Sequence, residues 1–299
     1  MDDAFRADGT RRRSSVLRRF VVGVSALTLL TADAATAAVM TVPEWFLFNK
    51  RLALNILELR TNVALEALDL ETADGLTLRS WYHPPSAGKP VIVYFPGRDG
   101  DLIRKSSHLF KLAEEGYGLT LVGYRGFGGN PGSPSEFHFY RDAEALIDKL
   151  SREALAPDGL VLYGYSMGTG VASYAAMKSE ARALILEGAF TSFPAAVRQQ
   201  VPTIPAWLIR THFDTRQRIP YIDEPILFLA GENDTVTPPT FAEKLASLSK
   251  GVSWLQILPG AGHLDMYRHG ALEFVADFLS GLNVTSTTVA KTGETGTSL

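Results

Sequence analysis

A serine, an aspartate and a histidine lie along the chain in an order that could form one nucleophilic centre. Ser166 occupies the middle of a G-x-S-x-G pattern at residues 164–168, between an apolar stretch and a helical one. A sharp strand-to-helix turn exposes a serine hydroxyl, and the flanking glycines relieve the crowding of that turn. The N-terminus of the following helix favours negative charge that develops beside it. Ser166 is therefore predicted to be a nucleophile; the alternative is a purely structural turn.

A serine hydroxyl needs a base within hydrogen-bond reach, and histidine suits this role because its pKa lies near neutral pH. His263 follows the last strand-like run in a glycine-containing loop. Asp234 follows the preceding strand-like run, and it would hold the imidazole tautomer and stabilise the imidazolium. Glu232 and Asp265 are alternatives for the acid, but the order Ser, Asp, His favours Asp234. The other histidines are placed in an early strand, at surface or helix positions, or in a later insertion: His83, His108, His138, His269 and His212.

An acyl-transfer site also needs two backbone donors that face the tetrahedral oxygen. The amide of Met167, directly after the nucleophile, is the first candidate. The loop at residues 96–101 should supply the second, and the Arg98 amide is preferred because Gly97 permits close approach. The Arg98 side chain either meets an acidic substrate group or pairs with a local carboxylate such as Asp99 or Asp101.

Short apolar runs, nearly continuous and rich in β-branched and aromatic residues, must position these groups. Such runs are typical of strands that are covered on both faces. Six of them are predicted: Val91–Phe95, Leu119–Tyr124, Leu160–Gly164, Ala183–Glu187, Ile226–Ala230 and Trp254–Leu258. Most are separated by segments with helical periodicity, as at residues 143–150, 170–178, 241–248 and 272–279.

Two further extended segments, at residues 64–72 and 76–82, flank an Asp-Gly turn and predict an antiparallel pair. Together with the alternating strands and helices, they predict an α/β protein. Its sheet would be eight-stranded, mostly parallel and doubly wound, with an antiparallel N-terminal edge. Ligands bind beyond the carboxyl ends of the strands in such sheets, which is where the candidate residues fall.

At this point the chain resembles the α/β-hydrolase superfamily over about residues 65–282. It is most similar to the branch with a small lid, which includes esterases, thioesterases and serine-aminopeptidase-like domains. The residues that carry the resemblance are Tyr94-Phe95-Pro96-Gly97, Tyr124-Arg125-Gly126-Phe127-Gly128 with Gly132, Ser166 in its turn, Gly231 with Asp234 and Pro238, and Gly262-His263.

The resemblance implies that Ser166, Asp234 and His263 form a catalytic triad, with the amides of Arg98 and Met167 as the oxyanion hole. Pro96 is a departure, since many relatives have histidine before the glycine. Arg98 stands where close relatives often have asparagine. Neither change removes a backbone donor, but both affect the polarity of the pocket.

Residues 191–224 form the expected cap insertion, which is too short to be a separate domain. Its aromatic and aliphatic side chains either line an open or shallow pocket for an acyl chain or hold the cap down by packing. The residues concerned are Phe193, Trp207, Leu208 and Phe213.

The two ends of the chain differ from this domain. Residues 1–37 combine arginines, a short apolar run and an A-x-A site, which is typical of an export signal or an N-terminal anchor. The domain would then be periplasmic, secreted or membrane-anchored on the outside; the alternative is a basic tail in a cytoplasmic protein. Residues 38–64 read as an amphipathic lead-in, packed on the domain or at a membrane surface. Residues 283–299 are predicted to be disordered.

Composition narrows the chemistry further. The chain has 299 residues, a net charge of −3 and no cysteine, so a thiol nucleophile is excluded and nucleic acid is not an expected partner. Neither a metal nor a cofactor is expected. The sequence therefore predicts a serine hydrolase that acts on a small-molecule ester or thioester through an acyl-enzyme. The alternatives are an acyltransferase or perhydrolase on the same triad, and a non-catalytic binding protein of this fold.

Overall fold

A computed structural model describes residues 63–100 and 106–282. Their central feature is an eight-stranded sheet in the order β1-β2-β4-β3-β5-β6-β7-β8. The strands are β1 (Glu66–Glu71), β2 (Thr77–His83), β3 (Val91–Phe95), β4 (Gly118–Leu121), β5 (Leu160–Tyr165), β6 (Ala183–Glu187), β7 (Ile226–Gly231) and β8 (Ser253–Leu258). The sequence prediction of eight strands in these places is confirmed.

The sheet is parallel from β4 to β8 and antiparallel at its N-terminal edge. Strand β1 pairs with β2 and β2 pairs with β4 in antiparallel register, whereas all other neighbours run parallel. The reversal of strand order around β3 and β5 places a crevice at their carboxyl ends, where ligands bind in doubly wound sheets. The predicted mostly parallel, doubly wound sheet is therefore confirmed.

The central strands are apolar throughout because helices cover both of their faces. All five residues of β3 and of β6 are buried. Two hydrophobic clusters form, one on each face of the sheet, and side chains alternate between them along each strand. In β3, for example, Val93 belongs to one cluster and Ile92 to the other.

Helices connect the strands, and those at residues 136–152, 167–178, 239–246 and 271–281 overlap the segments of predicted helical periodicity. They are α1 (Phe110–Glu114), α2 (Glu136–Arg152), α3 (Met167–Lys178), α4 (Phe193–Gln200), α5 (Thr215–Arg218), α6 (Pro239–Ala246) and α7 (Ala271–Gly281). Helix α2 begins at an N-cap serine, Ser135, whose side chain accepts a hydrogen bond from the amide of His138. Helix α3 starts directly after Ser166 and so fixes the turn that holds this residue.

Strand β4 is shorter than predicted. The apolar run continues to Tyr124, but the strand ends at Leu121. The chain leaves the sheet at Gly123, whose amide donates to Ser80 Oγ at 3.1 Å. A Cβ atom at Gly123 would lie 1.9 Å from the carbonyl oxygen of Arg79, so only glycine permits this close approach.

The cap insertion contains helices α4 and α5, and hydrogen bonds anchor it to several elements of the domain. Glu136, at the start of α2, accepts hydrogen bonds from the amides of His212 (2.6 Å) and Phe213 (2.8 Å). Gln200, at the end of α4, donates its side-chain amide to the carbonyl of Thr235 at 2.6 Å. These bonds tie the cap to the elements that follow β4 and β7.

The aromatic side chains of the cap differ in their surroundings. Phe213 is fully buried and packs against the rings of Phe139 and Phe193. Of the two alternatives for Phe213, packing that holds the cap down is the one that this burial supports. Trp207, in contrast, is 70% exposed.

Several sequence predictions concern residues outside the described ones. The export signal or anchor at 1–37, nearly all of the lead-in at 38–64 and the tail at 283–299 lie there. Within residues 63–100 and 106–282, no helix is both long and apolar enough to cross a bilayer.

Candidate active site

The turn after β5 holds Ser166 in an unusual conformation. Its φ of 51° and ψ of −118° lie in a region that L-residues rarely adopt. The amide of Ser166 donates to the carbonyl of Glu187 at 2.8 Å, which ties the turn to the end of β6. A Cβ atom at Gly164 would lie 2.6 Å from the carbonyl oxygen of Gly168, so the small residues of the pattern are sterically required.

The three predicted side chains are in direct contact. His263 Nε2 lies 2.9 Å from Ser166 Oγ, and His263 Nδ1 lies 2.7 Å from Asp234 Oδ2. The loops after β5, β7 and β8 supply one residue each, and they meet at the carboxyl ends of the strands. The structure thus brings together residues separated by up to 97 positions in the sequence.

Asp234 is buried, and hydrogen bonds surround its carboxylate. Oδ1 accepts from the amides of Val236 (2.7 Å) and Thr237 (2.8 Å), while Oδ2 accepts from the Thr237 hydroxyl at 2.7 Å. Burial alone raises the pKa of Asp234. The hydrogen bonds from His263 and Thr237 outweigh this effect and hold the pKa below its usual value. Asp234 is consequently ionised at neutral pH and faces His263 as a full negative charge.

The two other candidate acids, Glu232 and Asp265, shape the histidine loop instead. Glu232 Oε2 accepts from the amide of Gly260 at 2.8 Å, and Asp265 Oδ1 accepts from the amide of Gly262 at 2.7 Å. Each carboxylate therefore braces the backbone of the loop that carries His263. The ring nitrogen of His263 is hydrogen-bonded to Asp234, which favours the predicted choice of acid.

The loop after β3 packs directly on the serine turn. A Cβ atom at Gly168 would lie 2.0 Å from the carbonyl oxygen of Phe95, and one at Gly97 would lie 3.5 Å from Ser166 Cβ. Among the hydrogen bonds of the described residues, none is donated by the backbone amide of Arg98 or Met167. Met167 directly follows Ser166, and Arg98 follows Gly97, which packs against Ser166, so both candidate oxyanion donors border the nucleophile. The Arg98 side chain is exposed.

Two residues that contact His263 were not predicted from the sequence. The Tyr165 hydroxyl donates to the carbonyl of His263 at 2.8 Å, and the two rings lie 5.6 Å apart. The Thr237 hydroxyl lies 3.0 Å from His263 Nδ1 in addition to its bond with Asp234. Neither a tyrosine next to the nucleophile nor a threonine in a turn has a local sequence pattern that would predict contact with the histidine.

His108 lies in the short 3₁₀ helix Ser107–Leu109, which agrees with one of its two predicted placements, at the surface or in a helix. Its side chain is buried. Its ring stacks on Tyr267 at 5.4 Å, and burial lowers the pKa of His108 to about 4.

Metal ligation has no support in the described part of the chain, where no group of three His, Asp or Glu side chains could hold an ion. The site instead joins a nucleophilic hydroxyl, an imidazole and an ionised carboxylate. This arrangement allows the imidazole to take a proton from the serine as it attacks a carbonyl carbon.

Comparison with known proteins agrees with the fold. Residues 90–211 match the family model described as the alpha/beta hydrolase fold. An uncharacterized protein of Mycobacterium tuberculosis is 32% identical over 200 residues, which cover 66% of this chain and 71% of that protein. The chain belongs to the α/β-hydrolase family.

More distant relatives share the same fold. The alpha/beta hydrolase domain-containing protein WAV2 of Arabidopsis thaliana is 26% identical over 236 residues, 71% of this chain and 76% of that protein. Among solved structures, an esterase of Pyrococcus furiosus superposes with a TM-score of 0.62 at 17% identity and covers 79% of this chain and 97% of its own. At that identity the similarity defines the fold alone.

Proposed function

We propose that this protein is a serine hydrolase that cleaves carboxylic ester or thioester bonds through an acyl-enzyme intermediate. The observation that carries the proposal is the continuous hydrogen-bonded chain from Ser166 Oγ through His263 to Asp234. A nucleophile, a base and an orienting acid in this contact are the recurring elements of acyl transfer on unrelated folds. Esterases among the structures of similar fold are consistent with the proposal.

In the first half of the proposed reaction, Ser166 Oγ attacks the carbonyl carbon while its proton moves to His263 Nε2. The amides of Arg98 and Met167 would donate to the resulting oxyanion. Collapse of the tetrahedral species breaks the bond to the leaving alcohol or thiol, which takes the proton from His263. The acyl group then remains on Ser166.

In the second half, His263 Nε2 takes a proton from water, whose oxygen attacks the acyl carbon. Collapse releases the carboxylic acid and returns the proton to Ser166 Oγ. Asp234 remains ionised throughout and stabilises the imidazolium that forms in each half. The site is thereby restored without a net change in the protein.

The test is hydrolysis of chromogenic esters and matched thioesters of graded acyl length by the full chain. Ser166→Ala is the inactive variant, and Ser173→Ala is the matched control, since Ser173 lies in the same helix and bonds only the carbonyl of Gly170. The proposal predicts turnover by the wild type and by Ser173→Ala alone. Equal turnover by Ser166→Ala, or none by the folded wild type on either series, would contradict it.

A further inference from the structure

The hydroxyl of Thr237 occupies a place between the acid and the base. It is buried and lies 2.7 Å from Asp234 Oδ2 and 3.0 Å from His263 Nδ1. Oδ2 is also the oxygen that contacts His263 Nδ1 at 2.7 Å. The Thr237 hydroxyl, Asp234 Oδ2 and His263 Nδ1 are therefore in mutual contact.

The hydrogen bonds of the Asp234 carboxylate explain why this contact matters. An ionised carboxylate has about four lone-pair sites. Two amides occupy Oδ1, and His263 with the Thr237 hydroxyl occupies Oδ2. The single hydroxyl proton of Thr237 points to Oδ2, because the carboxylate has no proton to give. Thr237 thus supplies the second hydrogen bond to Oδ2, the oxygen that also contacts His263.

We propose that Thr237 is a positioning residue that fixes the rotation of Asp234 and reduces the negative charge that Oδ2 presents to His263. The proposal rests on the function proposed above, since it assigns Thr237 to that same site. A donor on Oδ2 weakens the attraction between the carboxylate and the imidazolium. Loss of this donor would leave Oδ2 with more negative charge and would strengthen its attraction for the imidazolium.

Other ionisable groups near His263 set the background of this effect. Asp234 approaches from the loop after β7 and Tyr165 from the end of β5, while Asp265 braces the loop of His263 itself. Burial raises the pKa of Tyr165, and the nearby acidic groups Glu187 and Asp99 raise it further. Thr237 is uncharged, so its replacement alters the contact with Oδ2 without adding or removing a charge.

Thr237→Val tests the proposal because valine keeps the branched shape and the backbone amide and loses only the hydroxyl. We expect a roughly tenfold lower kcat with unchanged KM, since one hydrogen bond to a charged group is lost. The acid limb of the rate profile should move to higher pH by roughly half a unit to one unit. Thr237→Ser, which restores the hydroxyl, should recover both values.

A second measurement does not depend on turnover. The His263 ring is titrated by NMR in the full chain as wild type, Thr237→Val, Thr237→Ser and Thr215→Val. Thr215 is a buried threonine whose hydroxyl bonds the carbonyl of Phe213 in the cap. A higher His263 pKa in Thr237→Val alone supports the proposal. An unchanged pKa, or equal shifts in Thr237→Val and Thr237→Ser, would overturn it.

The two readouts keep the proposals separate. If the wild type shows no Ser166-dependent turnover, the proposed hydrolase function fails, and the NMR titration still decides the role of Thr237. If turnover depends on Ser166 but the titration is unaffected by Thr237→Val, only the positioning role is lost.

Discussion

Two buried carboxylates in this protein have opposite surroundings. Asp142, on helix α2, contacts the guanidinium of Arg125 through both oxygens at 2.6 Å, and Asp74 joins from the β1–β2 turn at 2.9 Å. Asp234 contacts an imidazole, a hydroxyl and two amides. Both carboxylates accept hydrogen bonds through both oxygens, but Asp142 faces a guanidinium whereas Asp234 faces the imidazole of His263.

The difference distinguishes the Asp142–Arg125 ion pair, which stabilises the fold, from the Asp234–His263 pair, which belongs to the proposed active site. Asp142, followed by Asp74, raises the pKa of Arg125, so the guanidinium remains charged and has no proton to exchange. His263 beside Asp234 instead contacts Ser166 Oγ through Nε2, a ring nitrogen that can accept or donate a proton. A buried carboxylate therefore contributes to chemistry when its partner can change its charge, and to folding when its partner cannot.

The largest expected effect concerns the serine and the histidine. Ser166→Ala and His263→Ala should each lower ester turnover by about 10⁴-fold or more, and the double variant should be little worse than either single one. The reason is that both residues act in the same proton transfer. Steady-state rates of the three variants provide the measurement, and losses that multiply in the double variant would show that the two residues act independently.

The next effect distinguishes the two carboxylates by activity. Asp234→Asn should lower kcat by roughly 10³- to 10⁴-fold, because the amide favours the wrong imidazole tautomer. Asp142→Asn should leave kcat per folded molecule within about threefold. Glu232→Gln is the control within the same loop, since it alters only a brace on the Gly260 amide. A greater loss in Glu232→Gln than in Asp234→Asn would mean that the acid is wrongly assigned.

A stability measurement should distinguish the buried Asp142 ion pair from an exposed one. Asp142→Asn removes the more buried of the two carboxylates that compensate Arg125, whose side chain is only 3% exposed, and should cost about 3–5 kcal/mol in the free energy of unfolding. Asp69→Asn, which breaks the exposed ion pair with Arg79, should cost less than about 1 kcal/mol. Urea denaturation gives both values, and equal losses would remove the distinction between buried and exposed pairs.

The smallest effect is the pH dependence of stability contributed by Asp234. Its pKa in the folded protein is lowered by the hydrogen bonds from His263 and Thr237, which outweigh the effect of burial. Its contribution is therefore complete above the unfolded pKa of about 3.9 and is lost as the pH falls through the lower folded value. Urea midpoints between pH 5 and 3 should decline less steeply in Asp234→Asn. An equal decline would show that other carboxylates control this range.

The sequence predicts much of this arrangement, because strands and turns leave local signals. The apolar runs of β3 and β6 have the predicted bounds, and the positions of Ser166, Asp234 and His263 follow from the strand ends. Position along the chain also separates Asp234 from Asp265, since only the former follows β7.

The supporting contacts were not predictable because they join distant segments. The Thr237–His263 and Tyr165–His263 contacts span 26 and 98 positions, and no local pattern marks either pair. The ring of His108 stacks on Tyr267, which lies far along the chain, so its burial leaves no local signal. For Phe213 the sequence leaves pocket lining and packing open, and the contact with Gly170 of α3 places it in the core.

The central claim is that Ser166 carries an acyl group during turnover. The most direct measurement is rapid mixing of the full chain with an activated ester, followed by acid quench and mass spectrometry of its peptides. The account predicts a burst of leaving group close to one per active site and an acyl mass on the peptide that contains Ser166, with both absent in Ser166→Ala. Steady turnover with the acyl group on another residue would contradict it.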